Sequence, residues 1–279
     1  MRLVLCRSVW GLEADPGRWP AVLPDVARRG FDAVSLPIQQ VDVGQLTVAR
    51  DEAGLDLVAQ VFTFGRSVDD HVAMLRQALE LSAAAGARHA VVQGGHDGWP
   101  LAEAVDFLRA AEEASAAAGV PALHETHRSR ILFNPWVTER ILDELPGLRI
   151  AADLSHWTCV GETMRLPDRI VTAVAAATHH VDARVGWEQG PQVADPRTPA
   201  HAAHVEAFER WWDAIWSARA ATGAGELVVQ PEFGPPPYQP VHPATGEPLA
   251  ADVNELNDWM GQRLRARYGR GLRSEPTSR

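Results

Sequence analysis

Four consecutive apolar segments, the first of them at 120–127, each end in a carboxylate, usually with a histidine or an arginine beside it. The segment ends read HETHR at 124–128, DLSH at 153–156, HHVDAR at 179–184 and PEF at 231–233. A buried carboxylate without a partner is very costly, so a cluster of four needs a cation or shared protons. A divalent metal held by carboxylate oxygens, with at most one imidazole, is the simplest arrangement that meets this need.

Each acid also has an alternative, structural interpretation. Asp153 precedes a predicted turn, where a carboxylate can simply cap the following helix. Glu232 lies in the proline-rich segment PEFGPPP, where no helix can begin cleanly, so capping does not explain it. Glu125 lies between two histidines at a segment end. Alternation along a strand points His124 to the opposite side from Glu125, which leaves Glu125 and Glu232 as the acids with the clearest functional interpretation.

Two further histidines are candidates for the same site. His156 follows Asp153 by three residues and is compatible with a ligand, a substrate contact or a partner of a ligand. Another apolar segment, at 89–95, precedes these four in the chain. Its end reads QGGHDGW at 93–99, which places His96 where it can line the site. Asp97 in that motif can instead form a turn with the glycine after it.

Tryptophans follow the apolar segments at 2–8, 148–156 and 178–186 and could wall a bound ligand by stacking. They are Trp10, Trp157 and Trp187, and each could equally belong to the core, because the chain has ten tryptophans. The segment 187–200 (WEQGPQVADPRTPA) is long, rich in proline and without helical period. We predict that it covers the site and shields it from water.

The elements that position these residues follow from an alternation of short apolar runs with amphipathic stretches. Strands are predicted at 2–8, 31–37, 55–62, 89–95, 120–127, 148–156, 178–186 and 227–234. They are rich in Val, Leu, Ile and Ala, as strands buried on both faces should be. Eight strand–helix units in a chain of this length predict an α/β fold, a single-domain (β/α)8 TIM barrel.

The barrel is predicted to span residues 1–268, and a disordered tail is expected at 269–279. Clear helices are predicted at 71–86, 102–119 and 204–223, each ending in glycine. An open doubly wound sheet is the alternative. It would usually carry a glycine-rich phosphate turn after the first strand, and SVWGLEADPG at 8–17 is not such a turn.

Composition narrows the function classes. The chain of 279 residues has a formal net charge of −10, which argues against a nucleic-acid partner. It has two cysteines, too few for a disulfide framework, and a cytoplasmic protein is expected. No stretch approaches the roughly 20 apolar residues that span a bilayer, so no membrane partner is predicted. A homo-oligomer is compatible with this composition.

The motifs HETHR, ADLSHW, HHVDARVG and PEFGPPPY together resemble the xylose-isomerase-like TIM barrel superfamily, across essentially the whole chain. This superfamily includes sugar isomerases, ketose 3-epimerases, inosose-processing enzymes and the endonuclease IV branch. In its ketose epimerases, strands five to eight supply Glu, Asp, His and Glu to one metal. The resemblance therefore implies Glu125, Asp153, a strand-seven residue and Glu232 as ligands, and Asp153 with His156 matches the family's D-x-x-H.

Strand seven departs from the family pattern. The family commonly has H-x-H, with the second histidine as ligand, whereas this chain reads His180-Val181-Asp182. His180 and Asp182 share one face of a strand, so either could reach the metal. We favour Asp182 because it occupies the ligand position, with His180 as the alternative. An oxygen-rich shell favours Mn²⁺ or Mg²⁺, and Co²⁺ or Zn²⁺ remain compatible.

The activity implied by the resemblance is isomerisation or epimerisation of a small polyhydroxylated hydroxy-ketone. A metal would polarise the carbonyl, and Glu125 and Glu232 would act as paired acid and base. His156 would assist catalysis by positioning substrate oxygens. The predicted substrate-binding residues are His127, Arg128, Arg184, His96 and Trp10.

Three alternatives remain open at this stage. The same chemistry could expel a hydroxyl, which would make the protein a metal-dependent lyase or dehydratase. A non-catalytic barrel subunit with a degenerate site is compatible with the departure at Asp182. Phosphodiester cleavage is disfavoured, because strands two and three end in SLPIQQ and QVFTFG without the histidines of the endonuclease branch, and because the chain is acidic.

Overall fold

A computed structural model describes residues 1–249 and 252–269 and forms a closed eight-stranded barrel. The strands are Arg2–Ser8 (β1), Ala33–Pro37 (β2), Asp56–Phe62 (β3), His89–Gln93 (β4), Ala122–Glu125 (β5), Ile150–Ala152 (β6), Thr178–Ala183 (β7) and Glu226–Pro231 (β8). Each strand pairs in parallel with the next, and β1 closes the ring on β8. The predicted single-domain TIM barrel is confirmed.

Helices surround the barrel and connect its strands. The described residues contain Trp19–Arg28 (α1), Val43–Ala53 (α2), Val68–Ala84 (α3), Leu101–Ala118 (α4), Pro135–Glu144 (α5), Ser155–Val160 (α6), Asp168–Ala177 (α7), Ala202–Ala221 (α8) and Val253–Tyr268 (α9). None of these helices is long and apolar enough to cross a membrane. The predicted tail at 269–279 lies outside the described residues, apart from Gly269.

Local signals explain several helix boundaries. Ser67 and Asp70 form a reciprocal capping box at the start of α3, with N···O distances of 3.2 and 3.0 Å. Asn134 caps α5 by accepting from the Val137 amide at 2.8 Å. Gly119 ends α4 in the left-handed conformation with φ of 71°, which glycine adopts without steric cost.

The barrel interior changes from apolar to polar along the strand direction. Its apolar cluster consists of Val4, Cys6, Ala33, Val58, Val91, Leu123, Ala151 and Val228. Because side chains alternate along a strand, the next inward position lies two residues later. From β1 to β8 these next positions are Ser8, Ser35, Gln60, Gln93, Glu125, Asp153, Asp182 and Gln230. The interior is thus filled at its middle and polar toward the carboxyl ends of the strands, where barrel sites are built.

The predicted sixth strand, 148–156, is too long. It ends at Ala152, and the backbone amide and hydroxyl of Ser155 both turn back onto Asp153 Oδ1, with N···O and O···O distances of 3.0 and 2.5 Å. This side-chain turn leads directly into α6. His156 therefore lies in the first turn of α6 rather than on a strand.

Candidate active site

Four acidic side chains converge at the carboxyl end of the barrel. Glu125 ends β5, Asp182 lies near the end of β7, Glu232 follows β8, and Asp153 follows β6. All four are buried, with between 0% and 7% of their surface exposed. The predicted grouping of these acids is present in the structure.

Amide side chains from neighbouring strands hold the carboxylates in place. Gln93 Nε2 donates to Glu125 Oε2 at 2.8 Å. Gln230 Nε2 donates to Asp182 Oδ1 at 2.8 Å and also lies 3.3 Å from Glu232 Oε1. Because these donors are neutral, they orient the carboxylates without cancelling their charge.

Arg184 is the cation that lies among the acids. Its Nη2 forms an ion pair with Asp153 and lies 3.4 Å from Glu232 Oε2. The guanidinium carbon lies 4.7 Å from the centre of the Tyr238 ring and 6.0 Å from that of Trp10. The planar cation is thus held between carboxylates and aromatic faces, a setting that suits arginine better than lysine.

The surroundings shift the pKa values of these acids in different directions. Burial, together with the negative charge of Asp182, raises the pKa of both Glu125 and Glu232 well above its usual range. Burial alone would also raise the pKa of Asp153, but the Arg184 guanidinium lowers it below its usual range. A pair of glutamates with raised pKa values beside an ionised aspartate is the pattern expected of acid–base groups.

A chain of hydrogen-bonded, buried side chains runs from His89 on β4 to Asp182 on β7. His89 Nε2 lies 3.0 Å from His180 Nδ1, and His180 Nε2 lies 3.1 Å from Asp182 Oδ1. Asp182 can only accept when ionised, so the network assigns the His180 proton to Nε2 and makes Nδ1 the acceptor from His89. Both nitrogens of His180 are therefore engaged, and its ring supports Asp182.

Two histidine rings pack against each other, with their planes tilted by 48°, at the edge of the acidic cluster. The ring centres of His127 and His156 are 3.9 Å apart, and His127 Nε2 lies 3.3 Å from the Tyr238 hydroxyl. Burial, reinforced by the His156 and Arg184 charges, lowers the pKa of His127 to about 2. One potential ligand atom each from Glu125, His127 and His156 lie within 4.8 Å of one another.

The donor set fits a divalent cation. Four buried carboxyl groups lie around one guanidinium, which contacts Asp153 and Glu232, so a further cation would be needed for all four to be ionised together. In addition, the buried Nδ1 of His156 has no hydrogen-bond partner among the described residues. Oxygen-rich donors of this kind suit Mg²⁺ or Mn²⁺, and the nearby imidazoles also suit Zn²⁺ or Co²⁺.

A cavity of about 710 Å³ opens above the acids. Its polar part contains Gln60, Gln93, Glu125, His127, Arg184, Glu232 and Tyr238. Trp10 closes this part, with its ring 5.1 Å from the Tyr238 ring in an edge-on arrangement. Of the predicted site residues, Glu125, Glu232, His127, Arg184 and Trp10 line the cavity directly.

Two predicted substrate-binding residues lie elsewhere. The His96 side chain is 64% exposed, pairs with Asp97 and does not line the cavity. The reason is that β4 ends at Gln93 and Gly95 has a φ of +67°, so the chain turns outward before His96. The Arg128 guanidinium carbon lies over the Tyr238 ring, 5.1 Å from its centre, and Arg128 is not among the residues that line the cavity.

The segment 187–200 contributes no residue to the described cavity wall, so its covering of the site during the reaction stays a prediction. The Gln192 amide pairs with the Gly234 backbone through N···O contacts of 2.7 and 3.1 Å. The segment therefore braces the chain just after Glu232. Trp157 is core, with its Nε1 bonded to the Leu132 carbonyl at 2.8 Å, and Trp187 lies near the surface.

Sequence reasoning missed two groups that shape the site. Gln230 could have been found, because it lies two residues before Glu232 and therefore shares its strand face. Tyr238 follows the proline run at 235–237, and its return over Arg184 depends on the fold of that loop. No local signal marks it.

Comparison with known proteins places the chain in a family. The sequence profile described as xylose isomerase-like TIM barrel matches residues 23–209. A search of curated protein sequences returned no significant match.

Solved structures share the fold at low sequence identity. A D-allulose 3-epimerase from Methylomonas sp. in complex with D-allulose is 16% identical with a TM-score of 0.65, covering 96% of this chain and 98% of its own. A probable 3-DHS dehydratase from Bacillus anthracis is 12% identical with a TM-score of 0.62, covering 95% and 98%. A xylose isomerase-like protein from Mycobacterium smegmatis in complex with magnesium is 13% identical with a TM-score of 0.59, covering 94% and 96%. The profile match and the closed barrel together show that the chain belongs to the xylose isomerase-like TIM barrel family.

Proposed function

We propose that the protein is a divalent-metal-dependent isomerase or epimerase of a small sugar-like hydroxy-ketone. The observation that carries this proposal is the pair Glu125 and Glu232, which enter one cavity from β5 and β8 with raised pKa values beside Arg184. A carboxylate with a raised pKa is a stronger base when ionised and exchanges protons closer to neutral pH. Membership of a family with epimerases among its structural relatives supports the same reaction class.

The metal would be held by Glu125, Asp153, Asp182 and Glu232. When bound, it would polarise a substrate carbonyl and make the neighbouring C–H more acidic. The relative that contains magnesium supports a divalent ion of this kind. His180 would orient Asp182 from below, because both of its nitrogens are engaged by His89 and Asp182.

The chain's own residues would divide the proton transfer between them. One of Glu125 and Glu232 would remove the proton from the carbon next to the carbonyl, and the other would return a proton to the adjacent carbon or to the opposite face. Arg184 would bind a substrate oxygen and stabilise negative charge that develops there. His127 and Tyr238, which contact each other, would position a hydroxyl group, and Trp10 would exclude water from this end of the cavity.

The test is solvent exchange catalysed by metal-loaded protein. Protein stripped with EDTA and reloaded with Mn²⁺ or Mg²⁺ is incubated in D₂O with D-fructose and other ketohexoses, and the products are followed by mass spectrometry and NMR. We expect about one bound metal per chain and incorporation of one deuterium without oxidation or reduction. Loss of water from the sugar would instead indicate the dehydratase alternative, and neither change in any ketose would contradict the proposal.

Glu232→Gln is the informative variant, because it preserves shape while removing the ionisable group. Exchange should fall by roughly 10²–10⁴-fold, the range typical of a lost general acid or base. An exchange rate equal to that of the unaltered protein would remove Glu232 from the mechanism.

A further inference from the structure

The cavity has a second, apolar part that the proposed acid–base chemistry does not use. It is formed by the β1–α1 connection, the end of β2 and the end of β3, and its walls are Val9, Leu12, Ala14, Trp19, Pro37 and Phe62. We call these six residues the apolar chamber. It is continuous with the polar part that contains Glu125, Arg184 and Glu232, since the same cavity includes both.

Most polar groups nearest the apolar chamber are already engaged within the protein, and the exposed Gln40 is the further polar group that lines the same cavity. Trp19 Nε1 donates to the Glu13 carbonyl at 2.9 Å, so Trp19 offers its ring rather than its N–H. The Phe62 amide and carbonyl are both bonded to the Gln39 side chain, at 3.0 and 2.9 Å. Glu13 accepts from the Asp15 amide at 3.1 Å and pairs with Arg18 at 3.3 Å. A hydroxyl group that entered the chamber would therefore find few partners, which is unfavourable.

The size of the cavity points in the same direction. A volume of about 710 Å³ lies in the upper half of the roughly 300–1,000 Å³ range of small-molecule pockets, so the cavity can hold a ligand larger than a hexose. The acids, Arg184 and the aromatic wall of Trp10 and Tyr238 take one end. The remaining wall is mostly apolar, with Glu13 and the exposed Gln40 as its polar members.

We propose that the apolar chamber binds an aliphatic or aromatic substituent of the substrate, which is therefore amphipathic. The hydroxy-ketone end would face Glu125, Glu232 and Arg184, and the substituent would lie against Leu12, Trp19 and Phe62. This inference rests on the proposed function for the chemistry at the polar end. The chamber itself is defined by contacts that do not involve that chemistry.

The test compares ligands that differ only in the length of an apolar chain. Mn²⁺-loaded protein is titrated by calorimetry with 6-O-acetyl-D-fructose and 6-O-hexanoyl-D-fructose, and with the corresponding 1-O esters, since either end of the ketose could face Phe62. Each CH₂ group transferred from water to an apolar site gains about fourfold in affinity. We expect the hexanoyl ester of at least one pair to bind at least tenfold more tightly than its acetyl partner.

A matched pair of variants locates the effect. Phe62 lines the chamber, whereas Phe64 is 58% exposed and lies outside it. Phe62→Ser should reduce the hexanoyl-to-acetyl preference severalfold, and Phe64→Ser should leave that preference unchanged. Leu12→Glu is a second test of the same preference, because it places a charge in the chamber without altering a strand; Leu12 is half-buried on the loop after β1. This variant should also reduce the hexanoyl-to-acetyl preference. Thermal melting of each variant checks that it is folded.

The outcomes separate this inference from the proposed function. Three outcomes would each overturn the proposal that the chamber binds an apolar substituent. They are equal affinities of the acetyl and hexanoyl esters, binding of neither ester, and an equal loss of preference in Phe62→Ser and Phe64→Ser. If D-fructose exchanges deuterium while the length of the ester chain has no effect on affinity, the proposed function stands and the proposed role of the chamber does not. If no exchange occurs but the preference is present and lost in Phe62→Ser, the chamber stands without the proposed chemistry.

Discussion

The Nε2 atom of His180 lies 3.1 Å from Oδ1 of Asp182, two residues later on the same inward face of β7. On this face the family commonly presents two histidines, whereas here the second is a carboxylate. The first histidine is turned toward that carboxylate and receives a hydrogen bond from His89 on its other nitrogen. The geometry thus supports Asp182 as the residue that reaches the metal and His180 as the residue that orients Asp182.

Strand seven yields the first prediction. Asp182→Ala should lose metal more completely than His180→Ala, because removing a ligand costs more than removing a residue that orients one. Asp182→His should retain binding and shift preference toward Zn²⁺ or Co²⁺, since imidazole is a softer donor than carboxylate. Metal content after dialysis and competition between Mn²⁺ and Zn²⁺ measure both effects. If His180→Ala emptied the site while Asp182→Ala stayed loaded, the two roles would be reversed.

A second prediction concerns His89, whose side chain is buried at the amino end of β4. His89→Leu removes the donor to His180 Nδ1 and frees that ring to rotate. Metal affinity should fall by roughly 10–100-fold, the usual effect of losing a group that orients a ligand. His179→Leu is the matched control, because His179 points away from the barrel interior and contacts Arg219 at 3.4 Å. An equal loss of affinity in both variants would argue against the chain from His89 to Asp182.

A third prediction separates the two overlapping sets of metal donors. The carboxylate set includes Asp153, whereas the compact group formed with Glu125 and His156 includes His127. If the carboxylate set is correct, Asp153→Asn should abolish binding of Mn²⁺ and His127→Gln should weaken it only slightly. Isothermal titration of stripped protein gives both affinities. Loss of binding in His127→Gln with retention in Asp153→Asn would favour the histidine-containing group.

The fourth prediction follows from the close approach of Trp10 to the backbone after β8. A Cβ at Gly234 would lie 1.9 Å from the Trp10 ring, so Gly234→Ala must displace the indole. The free energy of unfolding should fall by about 1–3 kcal/mol, and the tryptophan fluorescence should change. Gly225→Ala is the control, since nothing lies within 4 Å of a Cβ there. Equal urea midpoints for the two variants would contradict the packing described.

A fifth prediction concerns pH. His71 Nδ1 accepts from the Gly95 amide at 3.2 Å and lies 2.6 Å from the Thr63 hydroxyl, and burial lowers the His71 pKa below 6.5. A lowered pKa of a base means that its stabilising contribution is present above pH 6.5 and is lost as pH falls through this range. The free energy of unfolding should therefore fall more steeply between pH 7 and pH 5 in the unaltered protein than in His71→Gln. Urea titrations at several pH values measure the two slopes, and parallel slopes would contradict the prediction.

The sequence alone was enough to predict the barrel and the convergence of its acids. Strand–helix alternation is a local pattern, and parallel strands in a closed ring bring their carboxyl ends to one rim whatever the details of the loops. Period-two alternation then places Glu125 and Asp182 inside the barrel, because each lies two residues after an interior position. These inferences succeeded because each depends on the backbone geometry of a single element.

Only the tertiary structure decided which other groups complete the site. His89 and His180 are 91 positions apart, and Trp10 meets the chain at Gly234 across the closure of β1 with β8. His96 was misplaced because the turn at Gly95 carries it outward, and Tyr238 was missed because its loop folds back over Arg184. The shape of the apolar chamber has the same origin. Loop directions and cavity walls result from packing between distant segments, which local periodicity does not encode.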